Sequence, residues 1–270
     1  MDINPQSFLY DEQGPIATIT FNRPDRLNSL TFDVYRELIE TLAALRSRDQ
    51  IRVVIITGTG RGFCSGGDVE QIIGELFARD MSGLLEFTRM TCDLIRKIRG
   101  LNKPVIASLN GTVAGAGAVI ALACDLRIAT EKAKIAFLFV KVGLAGADMG
   151  AAFLLPKVVG LSKATEILYT GDFVGAEEAA KIGLYNKVVA VSELQAETMR
   201  WAGKLAAGPG FALGMTKAAL NRELDMSLEL ALEAEAEAQA ICMLNSDFRE
   251  AYQAFTEKRA PEFNKEVSSP

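Results

Sequence analysis

Residues 104–125 read Pro104-Val-Ile-Ala-Ser-Leu-Asn-Gly-Thr-Val-Ala-Gly-Ala-Gly-Ala-Val-Ile-Ala-Leu-Ala-Cys-Asp125. No charge interrupts the run between Lys103 and Asp125, so its length approaches that of a bilayer-spanning helix. Pro104, Asn110, Gly111, Gly115 and Gly117 favour a different division: a buried strand over 104–109, a glycine-rich turn, and a buried helix from about 116. Membrane insertion is therefore not expected. The same order occurs upstream, where the apolar run 53–56 leads into Gly58-Thr-Gly60-Arg-Gly62-Phe-Cys-Ser-Gly66-Gly67-Asp68, followed by helical spacing over 84–98. Outward from these two segments, 8–12 and 16–21 read as strands joined by a Gln13-Gly14-Pro15 turn. Val34, Leu38, Leu42 and Leu45 mark an amphipathic helix capped near Thr31, and 126–130 reads as a further strand.

This alternation predicts an α/β core. Strands stop after Val189. The segment 228–240 alternates with period two, but its Leu, Ala, Glu and Gln are strong helix formers and Ala is poor in strands, so helix is expected. The division is a core over 1–195 and a helical region over 196–270.

Composition narrows the chemistry. The 270 residues are 49% hydrophobic and 23% charged, ordinary for a globular protein. Twenty-nine basic against 34 acidic residues give a net charge of −5, which argues against a nucleic-acid partner. There is no histidine. A Ser-His-Asp or Cys-His centre cannot be built, nor can a His-containing zinc site, so proton transfer falls to a carboxylate, Lys, Tyr, Cys or water. Cys64, Cys92, Cys124 and Cys242 form no C-x-x-C pair and read as free, mostly buried thiols. No leader-like pattern occupies residues 1–10, so a reducing, cytoplasmic setting is the default expectation.

Neither glycine turn has the Gly-Lys-Ser/Thr of a P-loop, and Gly115-Ala-Gly117-Ala-Val-Ile120 lacks the third glycine of a dinucleotide fingerprint. Either turn alone fits close strand–helix packing. Two together also fit a pair of converging N–H donors, an oxyanion hole.

Phe63-Cys-Ser-Gly-Gly-Asp68, Asn110-Gly111 with Ala114-Gly-Ala-Gly-Ala118, and Cys124-Asp125 resemble the crotonase superfamily, the enoyl-CoA hydratase/isomerase family. Phe21-Asn-Arg-Pro24 with Leu27-Asn28, Leu155-Pro156 with Val159-Gly160, Thr170-Gly171 and Phe255…Glu257-Lys258-Arg259 extend the resemblance along the chain. It implies a spiral of ββα units with a C-terminal helical trimerisation region, forming a homotrimer or a dimer of trimers. It also implies an acyl-CoA substrate, with coenzyme A part of the substrate and no separate cofactor. The thioester oxygen would lie between the backbone N–H groups of Gly67 and Ala116. Arg26, Leu27, Ser65, Gly66, Asp68, Phe139, Phe255 and Lys258 would contact substrate or CoA, with Arg26 either meeting the nucleotide phosphates or remaining a surface arginine. Phe87, Met90, Phe137, Phe139 and Phe153 would line an aromatic-friendly pocket or belong to the core.

The sequence departs from the hydratases of that family. Their two catalytic glutamates match Val119 and Phe139 here. Asp148, twelve residues before Gly160, matches an aspartate of the double-bond isomerases, with one more residue after Gly143 than those members have. One carboxylate suffices to take a proton from one carbon of an enolate and return it to another. Asp148 would be that proton carrier, or the N-cap of a helix starting at Met149. The dehalogenase branch pairs this aspartate with a histidine, which the chain lacks. A double-bond isomerase is the leading expectation. A hydratase or hydrolase on an unusual CoA ester, and a non-catalytic acyl-CoA-binding protein, are the alternatives.

Overall fold

The computed structural model describes residues 3–264. Strands β1 (Phe8–Gln13) and β2 (Ile16–Phe21) form an antiparallel hairpin across Gly14, whose φ of 57° suits the tight turn. Helix α1 (Phe32–Arg46) follows, with the Thr31 hydroxyl accepting the Val34 N–H as the sequence predicts. The chain then makes successive turns of a spiral: β3 (Val53–Gly58), β4 (Gly62–Cys64) and α2 (Met81–Gly100); β5 (Val105–Leu109), β6 (Thr112–Ala114) and α3 (Ala116–Ala123). The next turn is β7 (Leu126–Thr130), β8 (Lys134–Ala136), α4 (Ala151–Val159) and α5 (Leu161–Thr170). It is followed by β9 (Val174–Gly175), α6 (Ala176–Lys181) and β10 (Lys187–Val189). Each turn gives one strand to each of two sheets, ordered β1-β2-β3-β5-β7-β10 and β4-β6-β8-β9. The shorter sheet was not anticipated, because its two- and three-residue strands are too brief to carry a period.

The apolar run resolves as expected into strand, turn and helix. Every residue of β5 and α3 is buried, so both are enclosed by protein on all faces. Among the described residues no helix is long and apolar enough to span a bilayer. The main core lies between the sheets and α1 to α5, and a second cluster, including Ile55, Ile106, Ala202 and Ala206, packs α7 (Leu194–Ala206) on the other face of the larger sheet. The remaining helices are α8 (Gly210–Arg222), α9 (Leu228–Leu244) and α10 (Ser246–Glu257). The period-two segment is helical, within α9, and none of that helix is buried in the single chain.

Candidate active site

The loop after β4 is strapped to the start of α1. The Leu30 N–H donates to Gly66 O and the Asp68 N–H to Leu30 O, both at 2.8 Å, leaving the N–H of Gly67 between them without a backbone acceptor among the described residues. Across from it α3 begins at Ala116, whose N–H is one of the donors that every helix start leaves unpaired. The two loops approach too closely for side chains. A Cβ on Gly66, where φ is 101°, would lie 3.3 Å from Ala116 N, and one on Gly117 would lie 2.6 Å from Cys64 O. Glycine at these positions lets the loop after β4 and the start of α3 pack backbone against backbone.

Asp68, expected against the ligand, instead braces this loop. Its side chain is 4% exposed; Oδ1 accepts the Glu70 and Gln71 N–H groups at 3.0 Å, and Oδ2 accepts the Ser29 hydroxyl at 3.0 Å and pairs with Arg23 at 3.0 Å. The Gln71 N–H first, then Ser29, Glu70 and Arg23, overcome the burial and hold the carboxyl down at about 2. It caps the π-helical turn Val69–Gly74, which carries exposed Glu70 and Gln71. Arg23 and Ser29 were not singled out in the sequence, since neither a surface arginine nor a small polar residue carries a spacing signal.

Leu27 and Asn28 both adopt left-handed backbone, and the Asn28 amide donates to Thr59 O and Gly62 O at 2.9 and 2.7 Å while accepting the Arg23 N–H. This knot fixes the rim on which Arg26 and Ser65 stand. Ser65 is tied in by its N–H to Leu27 O, and Arg26 reaches Glu70 at 3.4 Å with both side chains exposed, a pairing worth little and easily exchanged for a ligand.

Asp148 lies on the turn before α4. The helix begins at Ala151 rather than Met149, with Gly150 at the cap position, so Asp148 is not its N-cap. Instead Asp148 Oδ1 accepts the N–H of Met149 at 2.8 Å, and Met149 sits at a φ of 50°, a strained conformation for a non-glycine residue. Burial raises the Asp148 carboxyl above the ordinary aspartate range, only partly offset by that hydrogen bond. Val119 and Phe139 are 0% and 8% exposed, so no second carboxylate stands at either place.

Two residues that sequence reading missed lie within reach of the Asp148 charge. Tyr35, 1% exposed on α1, packs edge-on against Phe87, and burial first, then Cys64 and Asp148, pushes its hydroxyl well up. Cys92, on α2, is raised by burial and then by Asp148. Both occupy ordinary helix-face positions, where spacing gives no functional signal. Cys64 lies beneath the glycine loops, accepting the Gly66 N–H at 3.4 Å, with burial holding its thiol up at about 12.

Of the aromatic candidates, Phe137 is core and Phe153 is exposed, while Phe87 and Met90 line a groove with Phe32 between α1 and α2. Phe255 is 84% exposed near the end of α10, and Lys258 takes left-handed backbone as its C-cap; both face outward on the last helix. No group of acidic residues and cysteines among the described residues could hold a metal ion.

A spiral of ββα turns presenting two unpaired backbone N–H groups and a desolvated carboxylate defines a crotonase-fold protein. A family model described as enoyl-CoA hydratase/isomerase matches residues 11–266, and the chain belongs to that family of acyl-CoA enzymes. It is 37% identical over 254 residues to the 1,2-epoxyphenylacetyl-CoA isomerase of Escherichia coli K12, covering 93% of this chain and 95% of the relative. It is 33% identical over 261 residues to the crotonyl-CoA hydratase of Syntrophomonas wolfei, covering 96% and 98%. A crystal structure from Streptomyces coelicolor A3(2), provisionally named an enoyl-CoA hydratase, superposes with a TM-score of 0.94 at 46% identity, covering 97% of this chain and 95% of that one.

Proposed function

We propose that this enzyme shifts the double bond of an enoyl-CoA thioester, with Asp148 as its single proton carrier and the N–H groups of Gly67 and Ala116 as its oxyanion hole. The observation that carries the reading is the desolvated Asp148 carboxylate in a site whose two hydratase-glutamate positions hold buried Val119 and Phe139. The name of the Escherichia coli relative, an isomerase of an epoxide-bearing CoA ester, supports isomerisation of a CoA ester over hydration. Against a 3-enoyl thioester, ionised Asp148 takes the α-proton, and the electron pair of that C–H bond moves onto the thioester oxygen as a dienolate. The two fixed N–H donors stabilise that charge where it forms. Return of the proton to the γ-carbon places the double bond between the α- and β-carbons and leaves Asp148 ionised again. Nothing is oxidised or reduced, and the only coenzyme involved is the CoA of the substrate. A raised carboxyl is the stronger base and the readier carrier.

The exposed apolar side chains of the C-terminal helices, among them Leu220, Leu228, Ile241 and Phe248, support self-association, as a trimer or a pair of trimers. Light scattering after gel filtration reads this as a mass near three or six chains.

The catalytic test is Asp148→Asn. It is expected to abolish conversion of a 3-enoyl-CoA to the 2-enoyl isomer while leaving CoA-ester binding close to wild type. Retained turnover would remove Asp148 from the chemistry.

A further inference from the structure

A groove of about 760 Å³ opens beside the glycine loop that follows β4, a volume within the range of small-molecule sites. Hydrogen bonds fix where it begins. Leu30 is bridged to Gly67, its N–H donating to Gly66 O and its carbonyl accepting the Asp68 N–H, both at 2.8 Å. Thr31 is the next residue and lines the groove, one Cα step of about 3.8 Å from the residue paired with Gly67. The opposite wall carries Gln71, whose N–H donates to the Asp68 carboxylate at 3.0 Å. Both walls therefore spring from the loop that holds the Gly67 N–H, and the groove continues between α1 and α2.

Its apolar lining is mostly aromatic and still partly open. Phe32, Phe87 and Met90 are each only half-buried, so each has apolar surface left to cover. Phe87 meets Phe32 edge-to-face at 5.5 Å and 74°, and Tyr35 at 6.1 Å and 90°. The Arg79 guanidinium stands over the Phe32 ring, 4.6 Å from its centre. The other lining residues are charged and leave no surplus cation. Arg36 pairs with Asp33, and Arg79 shares the groove with Glu75 and Glu86. An anionic arm would face three carboxylates against two guanidinium groups, whereas a neutral arm meets no such barrier.

We infer that this groove takes the distal part of the substrate's acyl arm and favours an uncharged aryl group there, with Phe87 as the residue that sets the preference. The inference rests on the acyl-CoA reading given above and names the substrate class within it. A straight or alicyclic arm gains only the area that it covers on Phe32, Phe87 and Met90. An aryl ring adds edge-to-face contact with the Phe32–Phe87 pair and offers a face to Arg79. Both gains depend on the ring quadrupole and are absent from a saturated ring.

Equilibrium binding of 4-phenylbutanoyl-CoA and 4-cyclohexylbutanoyl-CoA to the intact protein, read by calorimetry, tests this. The two esters share a carbon skeleton and a charge and differ in whether the ring is aromatic. The phenyl ester is expected to bind about three- to tenfold more tightly. Phe87→Leu is expected to abolish the difference and Phe87→Tyr to keep it. Phe153→Leu, at an exposed aromatic of α4 outside the groove, is expected to leave it unchanged. The readout is the ratio of two affinities on one protein, which a general loss of stability in a variant does not imitate. Equal or tighter binding of the cyclohexyl ester overturns the inference, and so does a preference that Phe87→Leu leaves intact. In both cases the esters bind and the acyl-CoA reading stands; binding of neither ester overturns that reading and the inference with it. Neither acyl chain carries a double bond to shift, so these outcomes are separate from the fate of Asp148→Asn.

Discussion

Gly117→Ala is the sharpest perturbation of the paired N–H donors. A Cβ at this position would lie 2.6 Å from Cys64 O, 2.7 Å from Cys64 Cβ and 2.9 Å from Cys64 Sγ. The closest of these atoms is backbone of β4, which is hydrogen-bonded into the shorter sheet, so the start of α3 must retreat. Ordinary van der Waals separation requires a retreat of roughly 0.7–1 Å. Ala116 precedes the substituted residue and moves with it, carrying its N–H away from Gly67. Misplacement on this scale costs about 10²-fold, and outright loss of one oxyanion donor about 10²–10³-fold. The predicted outcome is a kcat lowered about 10²-fold, with CoA-ester affinity changed far less and stability reduced by about 1–3 kcal/mol through overpacking. The assay is the isomerisation rate of a 3-enoyl-CoA, read alongside ester binding and urea unfolding. Gly100→Ala is the control, since a Cβ there meets nothing within 4 Å. A folded Gly117→Ala protein with kcat within about threefold of wild type would refute the reasoning, as would an equal loss in Gly100→Ala.

Removing Asp68 with Asp68→Ala should cost about 3 kcal/mol or more in chemical unfolding, because it strands Arg23 and uncaps the turn at Val69. Since the Asp68 carboxyl is depressed to about 2, its contribution is fully present at neutral pH and is lost progressively as pH falls from the ordinary aspartate range down through about 2, which acid-unfolding curves will show. Asp148 has the opposite sign. Its carboxyl is raised by burial, so folding is favoured by protonation and the ionised form costs stability at neutral pH; Asp148→Asn should unfold at higher temperature than wild type at pH 7, yet be inactive. The acidic limb of kcat/KM in the wild-type enzyme should accordingly lie above the ordinary aspartate range. Gly203→Ala, at an exposed position of α7 with open space around the new methyl, should stabilise by about 0.5–1 kcal/mol in the same unfolding assay.

Much of the fold was legible because its elements carry strong local signals. The strands Ile16–Phe21 and Leu126–Thr130, the Thr31 cap and the helicity of 228–240 follow from period, capping chemistry and propensity. The shorter sheet was hidden in the glycine turns, where β4 and β6 are held by pairing with distant strands rather than by any preference of their own. At the site, the glycines suggested paired N–H donors, and the family resemblance singled out Asp148 where Val119 and Phe139 replace the hydratase glutamates. The cap reading of Asp148 failed because the helix starts two residues later, after two left-handed residues that no propensity foretells. Asp68 was misplaced for a related reason: a carboxylate beside a ligand-facing loop looks the same in sequence whether it points outward or braces the loop from within. Tyr35 and Cys92 feel the Asp148 charge through the tertiary arrangement of α1 and α2, which no sequence period announces.

Incubating the enzyme with a 3-enoyl-CoA in heavy-oxygen water and weighing the product tests the central claim most directly. One carboxylate moving one proton predicts the 2-enoyl isomer at unchanged mass, with no heavy oxygen incorporated. A product carrying the heavy-oxygen label would show that water had been added or the thioester cleaved, and would contradict the account.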